Sequence, residues 1–117
     1  MTELVRLFDK LAALDAPWSP RIVGLYNGNK IFIAKAKGEF VWHAHPETDD
    51  LFLVLEGHLT IQLRDGNVEL GPGELYVVPR GVEHCPKSEE GASLLLIEPV
   101  GTPNTGDPAT AAPEQPI

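Results

Sequence analysis

An all-β fold, a sandwich or barrel of short strands entered through one short helix, is what this 117-residue sequence predicts. Helical periodicity is confined to the stretch before Pro17. From Arg21 to Ile97 the apolar residues come in short runs, one of them alternating cleanly, cut by Asn27-Gly28, Asp65-Gly66 and Gly71-Pro72-Gly73. After Pro99 almost nothing apolar remains to be buried.

The helix is expected over residues 2–14, where Leu4, Leu7, Phe8, Leu11 and Leu14 share a face after Thr2 as N-cap. Pro17 and Pro20 end it. Arg21 to Tyr26 and Lys30 to Lys37 flank Asn27-Gly28, a strong two-residue hairpin signal. Gly38 opens a strand through Phe40, Trp42 and two histidines. Leu51 to Leu55 is apolar on both faces, as in a strand covered on both sides. In His58 to Arg64, Leu59, Ile61 and Leu63 face in and His58, Thr60, Gln62 and Arg64 face out. Asn67 to Leu70, Leu75 to Val78, Val82 to Pro86 and Ala92 to Ile97 supply further short strands. The chain thus divides into a lead-in (1–20), a β-domain (21–100) and a tail (101–117). Four prolines among Thr, Ala and Gly leave the tail flexible, or draped over a neighbouring surface.

Composition narrows the function. The length suits one domain with one modest core. A net charge of -8 speaks against nucleic acid and against an anionic membrane, both of which call for Lys and Arg clusters. The longest apolar runs, about five residues, are far short of a membrane span, and MTELVRLFDK lacks the pattern of a secretory signal. One cysteine excludes an internal disulfide framework. These features point to a cytoplasmic protein.

The chemistry concentrates in GEFVWHAHPETDDLFLVLEG, residues 38–57. His43 and His45 project from one side of a strand, ~6–7 Å apart, a spacing that suits two imidazoles on one cation. Glu47, Asp49 and Asp50 follow, where a turn can return a carboxylate to the same point. A second stretch, residues 73–88, carries His84 after Pro79-x-Gly81.

These stretches resemble the two motifs of the cupin superfamily, G-x5-H-x-H-x3,4-E-x6-G and G-x5-P-x-G-x2-H-x3-N. Gly38, His43, His45 and Gly57 answer the first, with one residue fewer between Gly38 and His43. Gly73, Pro79, Gly81 and His84 answer the second at the family spacing. Asp50 stands where the family has glutamate, and Ser88 where it has asparagine. The resemblance implies a double-stranded β-helix, or jelly-roll barrel. It also implies one divalent transition metal (Fe, Mn, Ni, Co, Cu or Zn) on His43, His45, His84 and Asp50. Aspartate is one methylene shorter than glutamate, so Asp50 binds directly or through water, or else Glu47 or Asp49 replaces it.

Phe40, Phe52, Val54, Tyr76 and Val78 are candidates to wall an apolar pocket beside the ion. Cys85 points away from His84 and reads as a buried, inert thiol. Ser88 reads as a loop hydrogen-bonding residue, and Trp42 as a core or interface residue. What the resemblance implies for function is small-molecule chemistry of the isomerase or dioxygenase kind, or a ligand-binding sensor without catalysis. A small-molecule ligand and a homodimer are the expected partners. The general base is left open, with Glu47 and Tyr76 as weak candidates.

Overall fold

The computed structural model describes residues 3–117. Its order is α1 (Leu7–Ala12), β1 (Arg21–Tyr26), β2 (Asn29–Glu39), β3 (Asp50–Gly57), β4 (Leu59–Leu63), β5 (Gly66–Leu70), β6 (Leu75–Val78), β7 (His84–Pro99) and β8 (Gln115–Pro116). The fold is all-β with one short helix, as expected. The helix is shorter than its periodicity predicts. It starts at Leu7, with Arg6 at the cap position and no side-chain cap, and Thr2 lies outside the described residues. Leu11 and Leu14 are buried, with Val5 and Leu7 partly buried against the same cluster, while Leu4 and Phe8 stay exposed. A face that buries so little cannot extend a helix against its fraying ends.

The long strand β7 organises the barrel. Along one edge it carries β2, from Asn29↔Pro99 to Glu39↔Lys87. Along the other it carries β3 beside its second half and β4 beside its first. β1 and β6 extend the β2–β7–β3 layer, and β5 extends the β4 layer. The sequence reads β7 as two strands, Val82 to Pro86 and Ala92 to Ile97. It is one because β2 hydrogen-bonds across the break, which it passes with a register shift between Ala36 and Gly38.

Conversely, the strand expected from Gly38 through the histidines ends at Glu39. Beyond it Phe40 N donates to Pro86 O (2.9 Å), and His43 and His84 exchange backbone hydrogen bonds (3.0 and 2.9 Å) as an isolated bridge. Pro46, with no N–H to donate, cannot prolong that pairing.

The main core fills the barrel with Phe32, Phe52, Val54, Leu59, Ile61, Leu70, Val78, Leu94 and Leu96. A second cluster, Leu11, Leu14, Val23 and Ile33, lies under the helix and takes in Ile117 from the far end of the chain. Burying each such side chain contributes about 1.5–3 kcal/mol. Thr60, expected to face out, is buried, because its hydroxyl donates to Glu69 across the β4–β5 pair (2.7 Å).

Residues 101–117 run back over the barrel. Arg21 holds the carbonyls of Gln115 and Pro116 (3.3 and 2.8 Å), and Lys10 that of Ile117 (3.1 Å). Gln115 and Pro116 pair in parallel with Arg21 and Ile22. Gly106 passes so near the histidine segment that a Cβ on it would stand 2.2 Å from Ala44 O.

Candidate metal centre

The bridge between His43 and His84 sets the frame of the site. His45 is fixed two residues on, its carbonyl accepting from Gly81 N (2.8 Å). Asp50, the first residue of β3, enters from a third segment. One potential ligand atom from each of His43, His45, Asp50 and His84 lies within 4.8 Å of every other. His45 Nε2 and His84 Nε2 stand 3.2 and 3.3 Å from Asp50 Oδ2.

This arrangement fits a single ion. Donors each about 2.1 Å from one metal and at a right angle to each other lie about 3 Å apart. The rings are held as well. His43 Nδ1 faces Val41 O (2.8 Å) and His84 Nδ1 faces Val82 O (2.9 Å), so in each ring Nδ1 is engaged by the backbone and Nε2 is left to the site. All four side chains are buried, yet among the described residues His45 Nδ1 and Asp50 Oδ1 have no hydrogen-bond partner, and His45 Nε2 has only the Asp50 carboxylate beside it. Buried polar atoms left so poorly paired mark a place built for something else to satisfy.

Electrostatics lean the same way. Burial, aided by the neighbouring histidines, lowers His43 to about 4. Burial raises Asp50, but hydrogen bonds and charge from His45 and His84 outweigh it and hold the carboxyl at about 2. Near neutrality His43 is an imidazole and Asp50 a carboxylate, the states a cation requires.

The other carboxylates of this stretch turn away. Glu47 is exposed, and Asp49 Oδ1 accepts from Arg80 N (2.9 Å) on the surface. Asp50, for all its missing methylene, lies against His45 and His84 as the first residue of β3. Ser88, at the asparagine position, bonds its loop neighbours as expected: its hydroxyl donates to His58 O (2.6 Å) and accepts from Gly91 N (3.0 Å). Cys85 is fully buried, and burial raises its thiol. His58 is exposed beside Glu69. Trp42 lies at the surface with the Arg64 guanidinium 3.7 Å above its ring, so it is not a core residue.

Beside the four residues lies a small cavity of ≈ 50 Å³, open at its mouth. His43 and Asp50 border it, and Phe40 and Phe52 wall it as the sequence suggests. Val54 and Val78 belong instead to the packed core, with Tyr76 against it, although Val54 shares the inward face of β3 with Asp50 and Phe52 and Val78 stands opposite Asp50 on β6. Trp18, Phe32 and Glu98 also line the cavity, and sequence reasoning missed them. For Glu98 the signal was available: it follows Leu94 and Leu96 on the inward face of β7, and Lys30, opposite it, precedes Phe32 and Ala34 on the inward face of β2. Two inward charges facing each other across a barrel are paired or functional. Burial, then the charge of Asp50, pushes Glu98 up to about 9 against the pull of Lys30.

The cupin-domain family, Cupin_2, matches residues 30–98 of this chain. The chain belongs to the cupin family. A cupin-2 domain protein from Shewanella frigidimarina NCIMB 400 superposes on it with a TM-score of 0.81 at 43% identity, over 82% of this chain and 94% of that one. YdbB of Bacillus subtilis (strain 168) is 36% identical over 73 residues, which are 62% of this cupin and 65% of YdbB, so the match spans a little under two thirds of that protein. A hydroquinone 1,2-dioxygenase from Sphingomonas sp. TTNP3, solved with 4-hydroxybenzoate, has a TM-score of 0.65 at 21% identity over 78% of this chain and 72% of its own, a likeness of fold alone. Among the described residues no helix is long and apolar enough to cross a membrane.

Proposed function

We propose that this cupin binds one divalent transition metal through His43, His45, His84 and Asp50 and uses it on a small molecule held in the adjoining cavity. The observation that carries the reading is the convergence of four buried donors from three segments, with the Nδ1 atoms of His43 and His84 engaged by backbone carbonyls. A bound ion of this kind polarises a carbonyl or enediolate, acidifies a bound water or, as iron, activates dioxygen. The chain's own part is to hold His43 neutral, keep the Asp50 carboxylate ionised and shield the site behind apolar walls. Three imidazoles and one carboxylate leave coordination positions for water or ligand. His/carboxylate sets accept Fe, Mn, Ni, Co, Cu or Zn, and chemistry of the isomerase or dioxygenase kind is the class we favour.

Elemental analysis of protein purified without added metal or an affinity tag tests the site. One ion per chain, lost in His45→Ala and in His84→Ala, is the expected result. A content far below one per chain, unchanged in both variants, rejects it. If chelation only lowers the melting temperature and no substrate is turned over, the protein is a sensor or carrier.

We further propose a homodimer in the cytoplasm. Its support is an apolar outer sheet face, with Leu75 and Val77 exposed on the edge strand β6 and half-buried Leu51, Leu53, Leu95 and Ile97 beside them. The single buried Cys85, with no disulfide, suits a reducing compartment.

A further inference from the structure

The polar residue that the metal reading leaves unused is Glu98. It is 3% exposed, it lines the same cavity as His43 and Asp50, and apart from the Asp50 carboxyl, with which it can share a proton, its Oε1 has no hydrogen-bond partner among the described residues. The facing Lys30 does not satisfy that oxygen. Its ammonium stands 3.6 Å away and is committed to Thr102 O (2.9 Å) and to the Glu114 carboxylate. A buried carboxyl oxygen left open at a cavity wall is a docking point for a polar group that enters from the cavity.

The remaining lining defines the body of the guest. Trp18, Phe32, Phe40 and Phe52 present rings to the cavity. Trp18 and Phe40 are 5.0 Å apart by ring centroid, and Phe40 meets His43 edge-on at 5.5 Å, so the aromatic wall runs up to the metal residues. Trp18 keeps its place with φ at +56°, a conformation unusual for so large a residue, through hydrogen bonds from its backbone N to Lys35 O (2.7 Å) and from its Nε1 to Lys37 O (2.9 Å). Walls of rings favour a flat ring, by stacking or by edge contact. A hydroxyl is the group best suited to Glu98, because it both donates and accepts and so pairs with the carboxyl in either protonation state.

We propose that Glu98 is the second anchor of the cavity, and that the ligand is a small flat molecule bearing two oxygens, one directed to the metal end at His43 and Asp50 and one a hydroxyl held by Glu98. The metal end rests on the reading given under Proposed function; the Glu98 end stands on its own observations. Glu98 is thereby a binding and specificity residue.

The test uses the full chain carrying Trp42→Phe, so that Trp18 is the only indole and reports binding by fluorescence. Catechol, resorcinol and hydroquinone are titrated in oxygen-free buffer, each against the cresol that replaces one hydroxyl by methyl at the same position. Both ion-free and zinc-loaded protein are used. At least one diol is expected to bind tenfold or more tightly than its cresol. Glu98→Leu should bring that ratio to about one, whereas Glu98→Gln, which still donates and accepts, should keep most of it. Ratios near one in the unsubstituted cavity, no binding of any of the six, or a preference that survives Glu98→Leu overturns the proposal. Glu98→Met replaces Glu98→Leu should the latter fail to fold. If zinc neither binds nor alters affinity while the preference still follows Glu98, the metal reading fails and this one stands.

Discussion

Gly57 closes β3 with φ at +83°, and a Cβ there would stand 2.2 Å from Gly91 O and 2.8 Å from Ala92 Cα. Backbone cannot give way as a flexible side chain can. Gly57→Ala should therefore cost at least ~2 kcal/mol, from a left-handed residue and a main-chain clash together. Denaturant midpoints of the ion-free protein measure it, with Gly28→Ala as control, since Gly28 has the same sign of φ and nothing within 4 Å of the added carbon.

Two ionisable side chains set opposite pH slopes on the stability of the ion-free protein. His43 is lowered from 6.5 to about 4, so its contribution is present above pH 6.5 and is lost as pH falls toward 4. Glu98 is raised from 4.5 to about 9, so its contribution is full below pH 4.5 and is lost as pH rises through 9. Glu98→Gln should flatten the alkaline slope and raise the melting temperature by a few degrees at pH 8. Thermal unfolding between pH 5 and 9 reads both effects, and an unaltered alkaline slope in Glu98→Gln contradicts the assignment.

At the level of elements, the tail hangs on a few polar pins. Arg21 takes two of its last carbonyls, Lys10 takes another, and Lys30 joins Thr102 O to the Glu114 carboxylate. Arg21→Ala removes two of these at once. It should expose residues 113–117 to carboxypeptidase and speed their amide exchange at least tenfold, with β2 and β7 unaffected; equal protection in the variant would contradict the pinning.

The same elements show what a sequence can reveal. β1, the Asn27-Gly28 turn and β6 were legible to the residue, because alternation and turn chemistry are local signals. The grouping of His43, His45, Asp50 and His84 was legible because motif spacing encodes it, whereas Glu47 and Asp49 turn to the surface. The unity of β7 was not legible, since only pairing with β2 carries the chain past Gly91. Nor was the course of the tail, whose partners lie more than seventy residues back along the chain. Glu98 and Lys30 fell between these cases: their parity was visible, but their neighbours' was read only for apolar residues.

For the molecule as a whole, the proposed ion and the proposed partner copy would be two outside terms in its stability. An ion at a hundred times its dissociation constant adds about 2.7 kcal/mol. Saturating zinc or cobalt should therefore raise the melting temperature by about ten degrees, reversibly with chelator and not in His84→Ala. A substitution on the outer sheet face, Val77→Asp, should halve the mass seen by light scattering without altering metal content, because Val77 points away from the core that Tyr76 and Val78 face. An unchanged mass would reject the proposed dimer face.

The paired backbone bridge between His43 and His84 has a last consequence. Two imidazoles bolted to adjoining main chains need no recruitment when a cation arrives. Uptake should then be a single kinetic phase paced by the cation shedding its water, with amide spectra of the loaded and stripped protein differing only around the four side chains.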